Sequence, residues 1–275
     1  MEFIETDSFV STPPAQLPHE LRVVSWNIAR GSKIDAILAF LRSAHADLIF
    51  LQETDKNARR TNFRNIAREI AHALEMNYVF GTEFEELAQG SRASPAYHGQ
   101  ATLSCSPLTR SSILQFRSQS SFWHPRWFIP SIGLLQRRLG GRMGLVTDVP
   151  LCGMQVVTYN LHLESKGGDA LRHLQLQEFL EDASQFSSEV PIIAAGDFNF
   201  DISQGIAAST VSRAQFLNPF NSRSAPTVTT SRHFASGRAI DWILTRGPFL
   251  VRDQKVHTSV DASDHFPLSL TLAFS

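Results

Sequence analysis

Apolar runs of strand length recur along the whole chain, interleaved with fewer helix-length stretches and joined in one place by a hairpin signal. Hairpin-linked strands argue against a purely parallel sheet. Runs this apolar need cover on both faces, so two mostly antiparallel sheets packed face to face, with helices outside, would bury them. Leu21 to Ile28 reads as a buried strand, followed by Ser32 as the cap of a helix carrying Ile34, Ile37, Leu38 and Leu41. Asp47 to Gln52, Ala101 to Ser104, Leu145 to Val149 and Gln155 to Leu163 read as further strands. The last two meet at Pro150-Leu151-Cys152-Gly153, a hairpin turn. Asp169 to Phe186 is a helix, and Val190 to Ala195, Ala239 to Thr245 and Leu268 to Ala273 are strands. Asn57 to Leu74 is expected to be a helix with Arg60, Arg64 and Arg68 on a solvated face.

The chain has 275 residues, which suits one sandwich domain over 21–275 preceded by a flexible arm over 1–20, rich in proline at its end. With 43% hydrophobic and 19% charged residues, it can bury a sizeable core. A net charge of −1 excludes a polybasic protein held to nucleic acid by bulk charge, but not a local basic site. Twenty-one of the 25 basic residues are Arg, a bias that suits phosphate handling and equally a GC-rich genome. Two cysteines, Cys105 and Cys152, cannot make a disulfide framework or a cysteine zinc site, and a reducing compartment is the simpler reading. Residues 1–20 lack the apolar core of a signal peptide and no stretch is long enough to cross a membrane, so a cytoplasmic location is expected.

Polar residues of catalytic type stand at the tips of the apolar runs. They are Ser25-Trp26-Asn27, Leu51-Gln52-Glu53, Asn160-Leu161-His162-Leu163, Gly196-Asp197-Phe198-Asn199, Ile240-Asp241-Trp242 and Ser263-Asp264-His265. A side chain at the end of a buried strand is held rigidly and can converge with others across a sheet edge. Each has a plainer alternative as well: Asn27 could cap a turn, and Asp197-Phe198-Asn199 could be an Asx-turn.

The ordered set resembles the endonuclease/exonuclease/phosphatase superfamily, whose fold is DNase I-like. Trp26-Asn27, Gln52-Glu53, Gly196-Asp197-Phe198-Asn199 and Ser263-Asp264-His265 carry the resemblance, with Ala225-Pro226-Thr227 and Ile240-Asp241-Trp242 as lesser marks. It implies a four-layer α/β sandwich, two central sheets between helices, and metal-assisted hydrolysis of a phosphoester by in-line attack of water. The metal would be Mg2+, with Mn2+ as the substitute, held by Glu53, Asn27 and Asp264. Asp197 would activate the water, with Asn199 orienting it or the phosphate. His265, steered by Asp241, and His162 would meet the phosphate. Tyr97 occupies the place of a phosphate-reaching tyrosine, whereas Gln100 departs from the asparagine common nearby. The remaining histidines show no metal-ligand spacing, which disfavours zinc.

The family hydrolyses several substrate classes, so the substrate must be read from elsewhere. Residues 106–147 hold six Arg, no acid and no Lys, together with Phe116, Phe122, Trp123, Trp127 and Phe128, and read as an insertion between strands. Arg126, Arg137, Arg138 and Trp127 are the candidate contacts there, because aromatics stack on bases and Arg pairs with phosphate. Nucleic acid or a nucleotide adduct is therefore the expected substrate. The alternatives are a sphingomyelinase-like enzyme whose aromatics enter a membrane interface, an inositol-phosphate phosphatase, a packed lid, and a non-catalytic binding module.

Overall fold

The computed structural model describes residues 3–11, 20–123, 135–151, 153–220, 225–229 and 238–274. Arg126 and Trp127 lie outside them, as do residues 12–19. In chain order the elements begin with β1 (Ile4–Ser8), β2 (Glu20–Arg30), α1 (Ile34–Ala44), β3 (Leu48–Lys56) and α2 (Ile66–Leu74). Next come β4 (Asn77–Glu86), β5 (Tyr97–Ser104), β6 (Arg110–Gln115), β7 (Arg138–Gly140), β8 (Met143–Leu151) and β9 (Met154–His162). The chain finishes with α3 (Asp169–Ala183), β10 (Ile192–Asp197), α4 (Gly205–Arg213), β11 (Asp241–Arg246), β12 (Phe249–Val256) and β13 (Leu268–Phe274).

One sheet runs β1-β4-β5-β3-β2-β13-β12, with β7 paired to the end of β4; the other runs β11-β10-β9-β8-β6. All pairings are antiparallel except β2–β3 and β9–β10, whose crossovers carry α1 and α3. Strand alternation assigns the layers. On β2, Leu21 and Val23 point to the core between the sheets, where Leu48, Phe50, Ile193 and Leu270 meet them. Val24, Trp26 and Ile28 point the other way, under Ile37 and Leu41 of α1 and Ile66 and Ile70 of α2. Helices α3 and α4 cover the outer face of the second sheet through Leu176, Phe179 and Val211. The result is the four-layer DNase I-like sandwich. Truncating Ile37 or Phe50, both fully buried, to Ala would cost about 2–5 kcal/mol.

Several expectations change. Part of the supposed flexible arm is strand β1, hydrogen-bonded along β4, and its Glu5 holds Lys56, Tyr78 and Asn65. The helix expected over Asn57–Leu74 starts only at Ile66, because Asn65 caps it by accepting from Arg68 N at 3.1 Å. Ser32 does not cap α1, whose N-cap is Lys33 with no side-chain bond. Arg60 is no solvated residue: its guanidinium grips Asp55 at 2.6 and 2.7 Å and Glu86 at 2.9 Å. Residues 106–147 are not a simple insertion, since they supply β6, β7 and the first part of β8 to the sheets.

The β8–β9 connection matches the hairpin reading, although Cys152 itself lies outside the described residues. Leu151 pairs with Met154, and Gly153 takes the left-handed conformation, φ 78°, that a two-residue loop needs.

Candidate active site

The two parallel pairs place four polar tips at one end of the sandwich: Asn27 and Glu53 from one sheet, His162 and Asp197 from the other. This is where open α/β sheets offer a crevice, beyond the carboxyl ends of parallel strands.

Asp197 is the hub. Its Oδ2 accepts from Asn27 Nδ2 at 3.2 Å, across the sheet interface, and lies 3.6 Å from His162 Nε2 and 3.8 Å from His265 Nε2. Its Oδ1 accepts the Asn199 backbone N–H at 2.8 Å, so the segment is an Asx-turn as well as a site. Asn199 sits at φ 58° with its amide donating to Leu163 O at 3.1 Å. Gly196, at φ 148°, makes the approach possible, because a Cβ there would lie 1.9 Å from Leu161 O.

Each histidine is backed by an acid. His265 Nδ1 faces both Asp241 oxygens at 3.0 Å. Burial alone would lower the His265 pKa, but Asp241, Asp197 and Asp264 outweigh it and push it up to about 10. Burial, with Asp197 nearby, also raises Asp241, so the pair retains its proton well above neutrality. Asp241 is fixed by the Thr227 hydroxyl, which donates to Oδ2 at 2.6 Å. His162 Nδ1 lies between Glu83 Oε1, at 3.0 Å, and Arg142 Nη1, at 2.7 Å. Glu83 also takes Arg142 Nη1 at 3.0 Å; burial would raise its pKa, yet His162 and Arg142 hold it far below the usual carboxylate range.

Glu53 sits at φ 52°, where the β3–β5 ladder bulges between Leu51 and Thr54. Burial opposes its charge, but His98, His162, Arg30 and Arg142 hold its pKa down to about 2. Among the described residues its carboxylate has no hydrogen-bond donor, which leaves an ionised oxygen pair uncommitted. That is the donor chemistry a hard divalent cation takes. Asp264 is exposed, its carboxylate accepting, among the described residues, from the Ser263 hydroxyl at 3.2 Å, and it lines a cleft of ≈ 250 Å³ with Asn199, Arg238 and His265. Asp197, Asp241 and His265 also bring donor atoms within 4.8 Å of one another, but the His265–Asp241 bond already uses two of them.

Not every sequence candidate joins this cluster. Tyr97 packs with the core under α1 and α2 and stacks on Phe3, ring centroids 5.5 Å apart. Alternation instead turns its neighbours His98 and Gln100 inward, where Gln100 donates to Glu83 at 3.0 Å. Gln52 and Asn160 serve structure: Gln52 Nε2 donates to Asn160 Oδ1 at 2.8 Å, and Asn160 Nδ2 donates to Leu51 O and Ala101 O of the opposite sheet. Arg138 is committed to Glu86 at 3.0 Å and lies over Phe84, and Trp123 is buried, donating to Glu164 at 2.6 Å. Arg137 is exposed.

Glu83, Arg142, Asp55 and His98 were missed. His98 Nδ1 lies 2.7 Å from Asp55, a third histidine–acid pair at this end of the sandwich. The visible signal was the run of acids in Thr82-Glu83-Phe84-Glu85-Glu86, improbable in a buried strand unless its carboxylates have partners.

Among the described residues no helix is long and apolar enough to cross a membrane. Comparison with curated protein sequences gives no match. Solved structures are similar in fold. An endonuclease/exonuclease/phosphatase from Beutenbergia cavernae aligns over 93% of this chain and 72% of its own, at 19% identity and TM-score 0.66. The human Nocturnin catalytic domain with bound sulfate aligns over 99% and 97%, at 15% identity and TM-score 0.65. A humanized D. rerio TDP2 aligns over 93% and 99%, at 16% identity and TM-score 0.64. The model of the Endonuclease/Exonuclease/phosphatase family matches residues 24–265. The chain belongs to that family of phosphoester hydrolases, which in general depend on a divalent metal.

Proposed function

We propose that this protein is a magnesium-dependent phosphodiesterase acting on nucleic acid or a nucleotide adduct, with manganese able to substitute. The observation that carries the reading is the meeting of Asp197 with two acid-backed histidines, His265 and His162, beside the ionised and uncommitted Glu53. Glu53 and Asn27 would hold the cation, with Asp264 as a further oxygen ligand, and all three are the hard donors magnesium prefers. When bound, the ion would neutralise charge on the phosphoryl oxygens.

The side chains would do the rest. Asp197, held in place by the Asn27 side chain and the Asn199 backbone N–H, accepts the proton of the attacking water. His265, with Nδ1 locked to Asp241, presents Nε2 to a nonbridging oxygen and supplies positive charge as the phosphorane develops. His162, positioned by Glu83, presents Nε2 from the other side. Asn199, at the mouth of the cleft, orients the water or phosphate.

A hydrolysis panel with magnesium tests this: single- and double-stranded DNA, RNA, sphingomyelin, inositol phosphates and bis(p-nitrophenyl) phosphate. Magnesium-dependent cleavage of an oligonucleotide and of the small diester is expected. Turnover of sphingomyelin or an inositol phosphate with no oligonucleotide cleavage overturns the substrate class, and full activity in EDTA overturns the metal.

A further inference from the structure

Two Arg-Arg dipeptides, Arg59-Arg60 and Arg137-Arg138, flank a single turn at Glu86–Gln89. The Arg59 N–H donates to Gln89 O, and the Leu87 N–H donates to Arg137 O, each at 2.9 Å, so both backbones are stitched to that turn. One member of each dipeptide faces inward. Arg60 Nη1 and Arg138 Nε reach the same oxygen of buried Glu86, at 2.9 and 3.0 Å, and Arg60 also holds Asp55. The other member of each, Arg59 and Arg137, is exposed, and among the described residues neither guanidinium has an acid partner. Glu85, the nearest other carboxylate on β4, is half-buried and, among the described residues, makes no ion pair with either of them. Four guanidiniums thus stand against two buried carboxylates, and the excess charge sits on the two arginines that face outward.

We infer that Arg59 and Arg137 form a clamp for the backbone phosphates of a polynucleotide lying across the Glu86–Gln89 turn, away from the scissile phosphate. Arg59 is six residues beyond Glu53 along the strand and loop, so the clamp lies within about 20 Å of it, a few phosphate repeats. Guanidinium forks match phosphate oxygens, and rigidly anchored backbones leave little to order on binding. Phe63, 60% exposed on the same β3–α2 loop, offers a face on which a base could stack. The substrate class rests on the phosphodiesterase reading above; the charge arrangement does not.

The test uses the full chain in EDTA with a fluorescent oligonucleotide, its anisotropy followed over a salt series. In the Arg59→Ala/Arg137→Ala double variant the log–log salt slope should flatten by about 1.4–1.8, two contacts' worth. Affinity at low salt should fall at least tenfold. With magnesium, the ratio of kcat/KM for the oligonucleotide to that for bis(p-nitrophenyl) phosphate should also fall at least tenfold. An unchanged slope, or no binding by the wild type, overturns the clamp. So does loss of binding to phosphatidylserine vesicles with oligonucleotide binding intact. If the slope flattens but the wild type cleaves neither substrate, the clamp stands and the catalytic reading falls.

Discussion

The Thr227 hydroxyl donates to Asp241 Oδ2 at 2.6 Å and itself accepts the backbone N–H groups of Ile240 and Asp241, at 3.0 and 3.1 Å. One short side chain thereby fixes the carboxylate that orients His265. Thr227→Val keeps the shape and deletes the donor, leaving buried groups unpaired at about 1–3 kcal/mol of stability. Turnover should fall roughly tenfold, while Thr227→Ser should recover most of it. Equal activity in the Val and Ser variants would show that the hydroxyl does not position the pair.

Glu53→Gln preserves size and removes the charge that the site holds ionised. Calorimetric titration should show magnesium binding weakened by at least tenfold, and turnover should fall on the order of a hundredfold. A variant that binds magnesium like the wild type would remove Glu53 from the ligand set.

Asp241→Asn and His265→Ala should each lower kcat by roughly a hundredfold or more. The double variant should be little worse than either, since the two act through one imidazole. Steady-state kinetics on the four proteins decide it: multiplied losses would mean that the carboxylate works independently of the ring.

The pH dependence of stability has two flanks. His265 is raised from 6.5 to about 10, so its contribution is complete below pH 6.5 and is lost as pH climbs through about 10. Glu53 is lowered from 4.5 to about 2, so its contribution is complete above pH 4.5 and is lost as pH falls through about 2. The melting temperature should therefore be highest between about pH 4.5 and 6.5 as far as these two groups decide it. Asp241→Asn should flatten the alkaline flank and leave the acid flank alone. Calorimetric scans at half-unit steps would reveal an unchanged alkaline slope if the pairing with His265 contributes nothing.

How much was legible followed burial. The strands β2, β3, β9, β10, β11 and β13 lie between two layers, so their sequences are nearly continuous apolar runs, and the polar tips mark where each run stops. Edge strands gave no such signal: β1 alternates Glu5 and Asp7 with apolar residues, and β12 carries Arg252, Asp253 and Lys255 toward solvent. The pairing of β4 with β5 and β7 was also invisible, and with it the roles of Glu83 and Glu86. The Arg-rich character of 106–147 was visible, but charge alone does not say where a guanidinium points. Four of its six arginines, 110, 117, 138 and 142, are paired with acids, most of them contributed by distant segments. Tyr97 was displaced by pleating, which sends adjacent residues to opposite faces.

Asn160, on β9, spends both amide protons on carbonyls of β3 and β5, Leu51 O at 3.1 Å and Ala101 O at 2.9 Å. Those strands belong to the other sheet, and Asn160 is only two residues from His162, so the rivet sits directly behind the catalytic end. The halves of the sandwich can neither slide nor part there without stranding four buried polar groups, the amides of Asn160 and Gln52 and the two carbonyls. Catalysis in this protein should then proceed on a prebuilt, immobile anvil. Substrate entry would depend on what happens at the rim, and no opening and closing of the two sheets would set the pace.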